Sequence, residues 1–131
     1  MKRLVFAALL VLAMFASTAQ TVVYVNSAVV EWDAVTTAVD GSPVPASEIS
    51  YQAVIAKPAD KNNFTILGET QAVVFTVTLP SEGTWVVGVR AIRTVGTDRI
   101  MSAFLWSDET TDPFVLLYLK APAVPENLRV Q

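Results

Sequence analysis

One stretch of the chain, Leu79–Arg93 (LPSEGTWVVGVRAIR), constrains the fold more than any other. It opens with a Pro-Ser-Glu-Gly turn and continues as a long strand pattern, in which successive side chains point to opposite faces. The first face carries Trp85, Val87, Val89 and Ala91, and the second carries Val86, Gly88, Arg90 and Ile92. We therefore predict a strand that turns the Trp85 face to the core and the Arg90 face to solvent.

Residues 1–19 have the three-part pattern of a secretory signal peptide. Lys2 and Arg3 precede an apolar run from Leu4 to Phe15, and small residues follow up to Ala19. This run is short for a membrane span, which needs about 20 apolar residues. We predict cleavage after Ala19, secretion to the extracellular or periplasmic space, and no membrane insertion after cleavage. An N-terminal membrane anchor is the alternative.

Composition excludes several classes of function. Without the signal, the 131-residue chain keeps seven basic and twelve acidic residues, a net charge of −5, and enough length for one domain. An acidic chain without a basic cluster argues against nucleic acid as a partner. The sequence holds no cysteine and no histidine, so it lacks disulfides and the commonest catalytic base and metal ligand. We predict no enzyme activity, no cofactor and no metal site.

The rest of the chain reads as short strands separated by turn residues. Loops are predicted at 35–48 and 94–99, and a turn at 57–63. Pro113 marks the last break between strands, because proline has no backbone N–H to donate to a strand ladder. No segment has helical period, so we predict an all-β antiparallel sandwich. The remaining strands are predicted at 21–25, 28–34, 49–56, 64–68, 73–79, 101–107 and 114–119.

Residues 28–119 resemble a fibronectin type III domain. The resemblance rests on Trp32, Tyr51, Leu79, Gly83-Thr84, Trp85, Val89, Ala91, Ser102 and Trp106-Ser107. It implies an immunoglobulin-like sandwich over residues 20–120, from a bacterial or phage-encoded member. The implied core is Trp32, Tyr51, Leu79, Trp85, Val89 and Ala91. The family usually has tyrosine where Trp85 stands, and its hydroxyl bonds back to the corner backbone, whereas an indole N–H can only donate.

Two kinds of function follow from the resemblance. Family members act as spacers, adhesion modules and accessory domains, which implies non-catalytic protein–protein interaction or an extracellular structural role with an unidentified protein partner. The alternative is a carbohydrate-binding accessory module. Its candidate ligand surface is formed by Phe104, Trp106 and Tyr118, aromatic residues that could stack on sugar rings or belong to the core.

The acidic segment Asp108–Asp112 has two possible interpretations. Its carboxylates, on Asp108, Glu109 and Asp112, are oxygen ligands of the type that calcium prefers. The spacing of a calcium loop is absent, however, and we favour a solvated acidic loop that blocks unwanted strand pairing.

The last residues, 121–131 (APAVPENLRVQ), resemble the start of a further fibronectin type III domain. Leu128 and Val130 have the period-2 spacing of a half-buried strand, and two prolines favour an extended lead. A docking strand would join the edge of the 28–34 strand in its own domain or the same edge of a neighbouring subunit, the latter giving self-association. The same pattern is also compatible with a disordered tail, or with a gene truncated at a module boundary.

Overall fold

The computed structural model describes residues 19–131, so the predicted signal peptide lies outside the described residues except for Ala19. Within them the protein is all-β, and the only helical pieces are two 3-10 turns, Ala46–Glu48 and Ser107–Glu109. None of the described helices is long and apolar enough to cross a membrane. The strands are β1 Thr21–Tyr24, β2 Ser27–Glu31, β3 Ile49–Ala56, β4 Thr65–Thr70, β5 Val74–Thr78, β6 Gly83–Val95, β7 Asp98–Met101, β8 Leu105–Trp106 and β9 Phe114–Tyr118.

The strands form two sheets. The larger has the order β1-β9-β6-β3-β4, with β7 and β8 also pairing with β6, and the smaller contains β2 and β5. Every pair is antiparallel except β1 with β9, which run parallel from Thr21 opposite Phe114. The prediction of a wholly antiparallel arrangement is therefore wrong at this edge. β1 and β9 come from opposite ends of the domain, so no tight hairpin dictates their relative direction.

The inner core lies between the two sheets. It is built from Ile55, Val77, Leu79, Trp85, Val87 and Leu116, each at most 8% exposed. Partly buried side chains from β1, β2 and β9 pack against this cluster, among them Val23, Val30 and Phe114. The predicted inward face of β6 thus enters the core at its first two positions.

The turn before β6 is held by the side chain of Trp85. Trp85 Nε1 donates a hydrogen bond to the carbonyl of Ser81 at 3.0 Å, so the indole makes a corner bond as donor. Gly83 has φ of +131°, a conformation that disfavours residues with a Cβ. Lys57 Nζ lies 4.0 Å from the centroid of the Trp85 ring and covers its outer side.

The second face of β6 does not face solvent as predicted. Val86 and Ile92 on this face are fully buried. Val86 belongs to an outer cluster with Val54, Ala56, Trp106 and Val115, against which Phe64 and Phe104 pack. The prediction fails because the segment after β7 folds across this face, a long-range contact that alternation along one strand does not reveal.

The strand predicted at 101–107 is broken into β7 and β8 by serine hydroxyls that replace part of the ladder. Ser102 Oγ accepts the amide of Ala91 at 2.9 Å, and Ser107 Oγ accepts the amide of Val87 at 3.1 Å. The predicted 94–99 loop is also shorter than expected, because β6 continues to Val95 and β7 begins at Asp98.

Candidate functional site

The outer face of the large sheet carries a cluster of aromatic rings, and cationic side chains of the same domain lie over these rings. The Phe104 and Trp106 ring centroids lie 5.1 Å apart at an interplanar angle of 41°, and the Phe64 centroid is 5.0 Å from that of Phe104. Arg90 lies 4.5 Å over Phe104, where its Nε also donates to Gln52 Oε1 at 2.9 Å. Intramolecular cation–π contacts therefore occupy positions that a ligand would need.

Trp106 is fixed by a close approach to the backbone of β6. It stands opposite Gly88 in the β6–β8 pair, and its side chain packs over the glycine. A Cβ placed on Gly88 would lie 2.7 Å from the indole, a distance that requires the ring to move. Trp106 is only 8% exposed, so this contact is structural.

The predicted ligand surface of Phe104, Trp106 and Tyr118 does not form. Tyr118 packs against the inner cluster, whereas Phe104 and Trp106 belong to the outer one. The large sheet separates the two clusters. The sequence analysis grouped these three residues because all of them are aromatic. Tyr118 lies apart from the other two because of the register of β9, which is set by pairing with strands far away in the sequence.

Lys61, in the turn between β3 and β4, pairs with two of the three carboxylates of the acidic segment. Lys61 Nζ hydrogen-bonds Glu109 at 2.6 Å and lies 2.9 Å from an Asp108 carboxylate oxygen, a contact that is ionic rather than a directed hydrogen bond. Burial, the largest single effect, lowers the pKa of Lys61, but these carboxylates together outweigh it and hold the pKa above its usual value. Within residues 19–131, no three acidic, histidine or cysteine side chains converge as metal ligands.

A second feature is the open edge of β2, the strand whose edge the sequence analysis offered to a docking strand. β5 pairs with one side of β2, and no described residue pairs with the other. Trp32 N donates to Val73 O at 3.0 Å, and Leu79 N donates to Asn26 O at 2.9 Å. The backbone amides and carbonyls of the even-numbered residues in and beside β2 therefore point to β5. By strand alternation, the amides and carbonyls of Ser27, Val29 and Glu31 point to the open side.

A groove follows this open edge between the two sheets. A cavity of about 380 Å³ is lined by Val23, Ala28, Val30, Phe114 and Leu116, and Glu31 stands at its rim. A second, of about 410 Å³, continues beyond Glu31 along Trp32, Tyr51, Val89 and Ala91. A small cavity of about 60 Å³, which shares Val30, Glu31 and Trp32, adjoins both. The groove therefore extends along β2 from Ala28 and continues to Trp32.

The open groove accounts for where the predicted core residues lie. Tyr51, Leu79 and Trp85 are buried, whereas Trp32, Val89 and Ala91 are only partly buried because they line the groove. Trp32 contacts Tyr51 edge-on at 5.4 Å, and Tyr51 Oη accepts the amide of Val35 at 2.9 Å. The Trp32 Nε1 has no hydrogen-bond partner in the described chain. Trp32 is partly buried and packs against a cluster of Val44, Ile49 and Tyr51, so it lies at the open border of the core.

The C-terminal segment 121–131 makes no strand, and all of its residues are exposed. Leu128 and Val130 are 101% and 97% exposed. Docking of this segment on its own domain, which the sequence pattern allowed, is not what the structure has. The segment leaves the domain where the amide of Lys120 donates to Glu82 Oε1 at 2.7 Å.

Comparison with known proteins gives no relative: no family model, no curated protein and no solved structure matches this chain.

Proposed function

We propose that this chain is a secreted, non-catalytic module of the fibronectin type III kind that acts through contacts with protein outside the cytoplasm. The pairing of β2 with β5 opposite a sheet containing β4, β3, β6 and β9 supports an immunoglobulin-like sandwich. The corner bond from Trp85 to Ser81 supports the family resemblance.

One observation carries the interaction role, which is the open edge of β2 beside an apolar groove. Unpaired strand edges are templates for pairing with another chain, and natural proteins block them with lysine, proline, bulges or a covering loop. β2 has no lysine, proline or bulge: its sequence is SAVVE, Val29 on its outer side is 68% exposed, and Glu31 is its one charged residue. An edge left open in this way fits recognition by strand addition, where main-chain hydrogen bonds supply the affinity.

Other described features fit a non-catalytic role. The carboxylates of Glu48 and Glu69 form ion pairs with Arg93 and Arg99, at 2.8 and 3.0 Å. Carboxylates paired with arginine in this way balance surface charge. They are not arranged as a general acid beside a general base. A carbohydrate-binding role gains no support, because Trp106 is buried and the Phe104 ring lies against Arg90.

Site-specific photo-crosslinking tests the proposal in the cells that produce the protein. A photoreactive residue at Val29, on the open edge, is expected to give protein adducts. The same residue at Val39, a fully exposed loop position, is the matched control and is expected to give none. The intact mass of the exported chain also tests secretion, since cleavage after Ala19 leaves Gln20 as its first residue. Absence of any Val29 adduct would refute the interaction role.

A further inference from the structure

We propose that the open edge of β2 accepts the C-terminal segment Ala121–Gln131 of a second copy of this chain as an added strand. This inference rests on the proposed function and names the partner of the same edge. The contact joins two different surfaces, so it is head-to-tail and builds open chains unless the rotation closes a ring.

The acceptor is a sheet that lacks a neighbour on one side. The smaller sheet has two strands, and it covers a larger sheet whose β1 and β9 side chains continue past it into the groove. A third strand beside β2 would bond to the outward groups of Val29 and Glu31 and cover Val30 and Phe114. Both gains come from one segment in extended conformation.

The donor has the pattern that this position requires. Leu128 and Val130 point to the same side of an extended chain, and both are fully exposed in their own domain. Pro122 and Pro125 restrict the lead and lower the entropy lost on docking. The Leu128-Arg129-Val130 core of the segment would place its two apolar side chains in the groove.

Charge fixes which side of the added strand faces outward. With Leu128 and Val130 in the groove, Arg129 lies on the outer side, where β2 presents Val29 and Glu31. Glu31 forms no ion pair within the described residues, and the Arg129 guanidinium bonds only to the carbonyl of Asn127 in its own segment. Opposite charges across paired strands are favourable in either strand direction, so Glu31 and Arg129 complement each other.

The free placement of the segment favours a second copy over its own domain. The chain passes Lys120 beside Glu82, and from there residues 121–131 remain exposed instead of folding back along β2. To lie along β2 of its own domain, the segment would have to reverse direction after Lys120. A segment that reaches the same edge from a neighbouring copy does not need this reversal.

The test is sedimentation velocity of the exported chain over a concentration series up to about 1 mM, a range that captures weak contacts. The intact chain is expected to shift from monomer to dimer and longer species as concentration rises. Leu128→Asp/Val130→Asp is expected to remain monomeric. Val39→Asp, which places the same charge on an exposed loop valine, is expected to associate like the parent chain.

Two acceptor-side variants locate the contact. Val29→Pro removes an outward amide without touching the ladder to β5, and proline is tolerated on an open edge, so this variant is expected to melt normally but not associate. Glu31→Lys and Arg129→Glu alone are each expected to weaken association roughly tenfold, by placing like charges on opposite strands. The double variant is expected to restore it.

Four outcomes overturn the inference. A chain that is monomeric throughout the series, and whose Pro125–Gln131 deletion variant does not bind a labelled Ala121–Gln131 peptide, has no such contact. A monomeric chain destabilised by the same deletion would place the segment on its own edge. Association that persists in Leu128→Asp/Val130→Asp would use another surface. Val29 crosslinks to a different protein, without self-association, would leave the proposed function standing and remove only this partner.

Discussion

Trp85→Ala is expected to lower the free energy of unfolding of the domain by about 3–5 kcal/mol. Trp85 is 8% exposed, packs in the inner cluster and donates to Ser81. Truncation of a buried tryptophan typically costs this much, a large part of the unfolding free energy of about 5–15 kcal/mol that a small domain has. Urea unfolding followed by circular dichroism measures the change.

Two controls separate packing from the corner bond. Trp85→Phe keeps an aromatic ring but loses the donor, so it is expected to lower the unfolding free energy by about 1–2 kcal/mol. Tyr24→Ala removes an aromatic side chain that is 71% exposed, and is expected to change stability by less than about 0.5 kcal/mol. A Trp85→Ala protein that melts like Tyr24→Ala would contradict the position of Trp85 in the core.

Trp106→Ala is expected to be the second large loss, again about 3–5 kcal/mol. The indole covers Gly88, packs against Phe104 and closes the outer cluster over Val86. Its removal exposes the backbone of β6 at the glycine, which has no side chain to protect it. The same urea titration measures this effect.

A variant on the opposite strand tests the same contact. Gly88→Ala places a Cβ against the Trp106 ring, and overpacking of this kind typically costs about 1–3 kcal/mol. In a Trp106→Ala background the added methyl has room, so the cost of Gly88→Ala is expected to disappear. A surface platform for sugar would behave differently: Trp106→Ala would then keep parental stability and lose a carbohydrate ligand.

Much of the strand pattern is readable from the sequence because it depends on local alternation and turn residues. β3 spans Ile49–Ala56, as predicted, and β6 begins at Gly83 in the predicted turn. The all-β class follows from the same signals. The fibronectin type III resemblance stays a proposal, supported by the corner and the strand order.

The contacts that decide the site lie beyond local pattern. Whether Trp106 meets Gly88 depends on how the chain crosses the outer face after β7, and two serine hydroxyls decide where that strand breaks. The exposure of Trp32 depends on a missing neighbour to β2. The sequence offers the edge of the 28–34 strand for docking, but the sheet order is what shows that no described residue pairs with it.

Amide hydrogen exchange at β2, measured by NMR, tests the open edge most directly. In a chain lacking Pro125–Gln131, the outward amides of Val29 and Glu31 are expected to exchange fast, while those of Ala28 and Val30, which bond to β5, exchange slowly. Addition of the Ala121–Gln131 peptide is expected to slow Val29 and Glu31 and leave β3 unchanged. A peptide carrying Leu128→Asp and Val130→Asp is the control. Slow exchange at Val29 and Glu31 in the dilute truncated chain, or fast exchange that saturating peptide does not alter, would contradict the account.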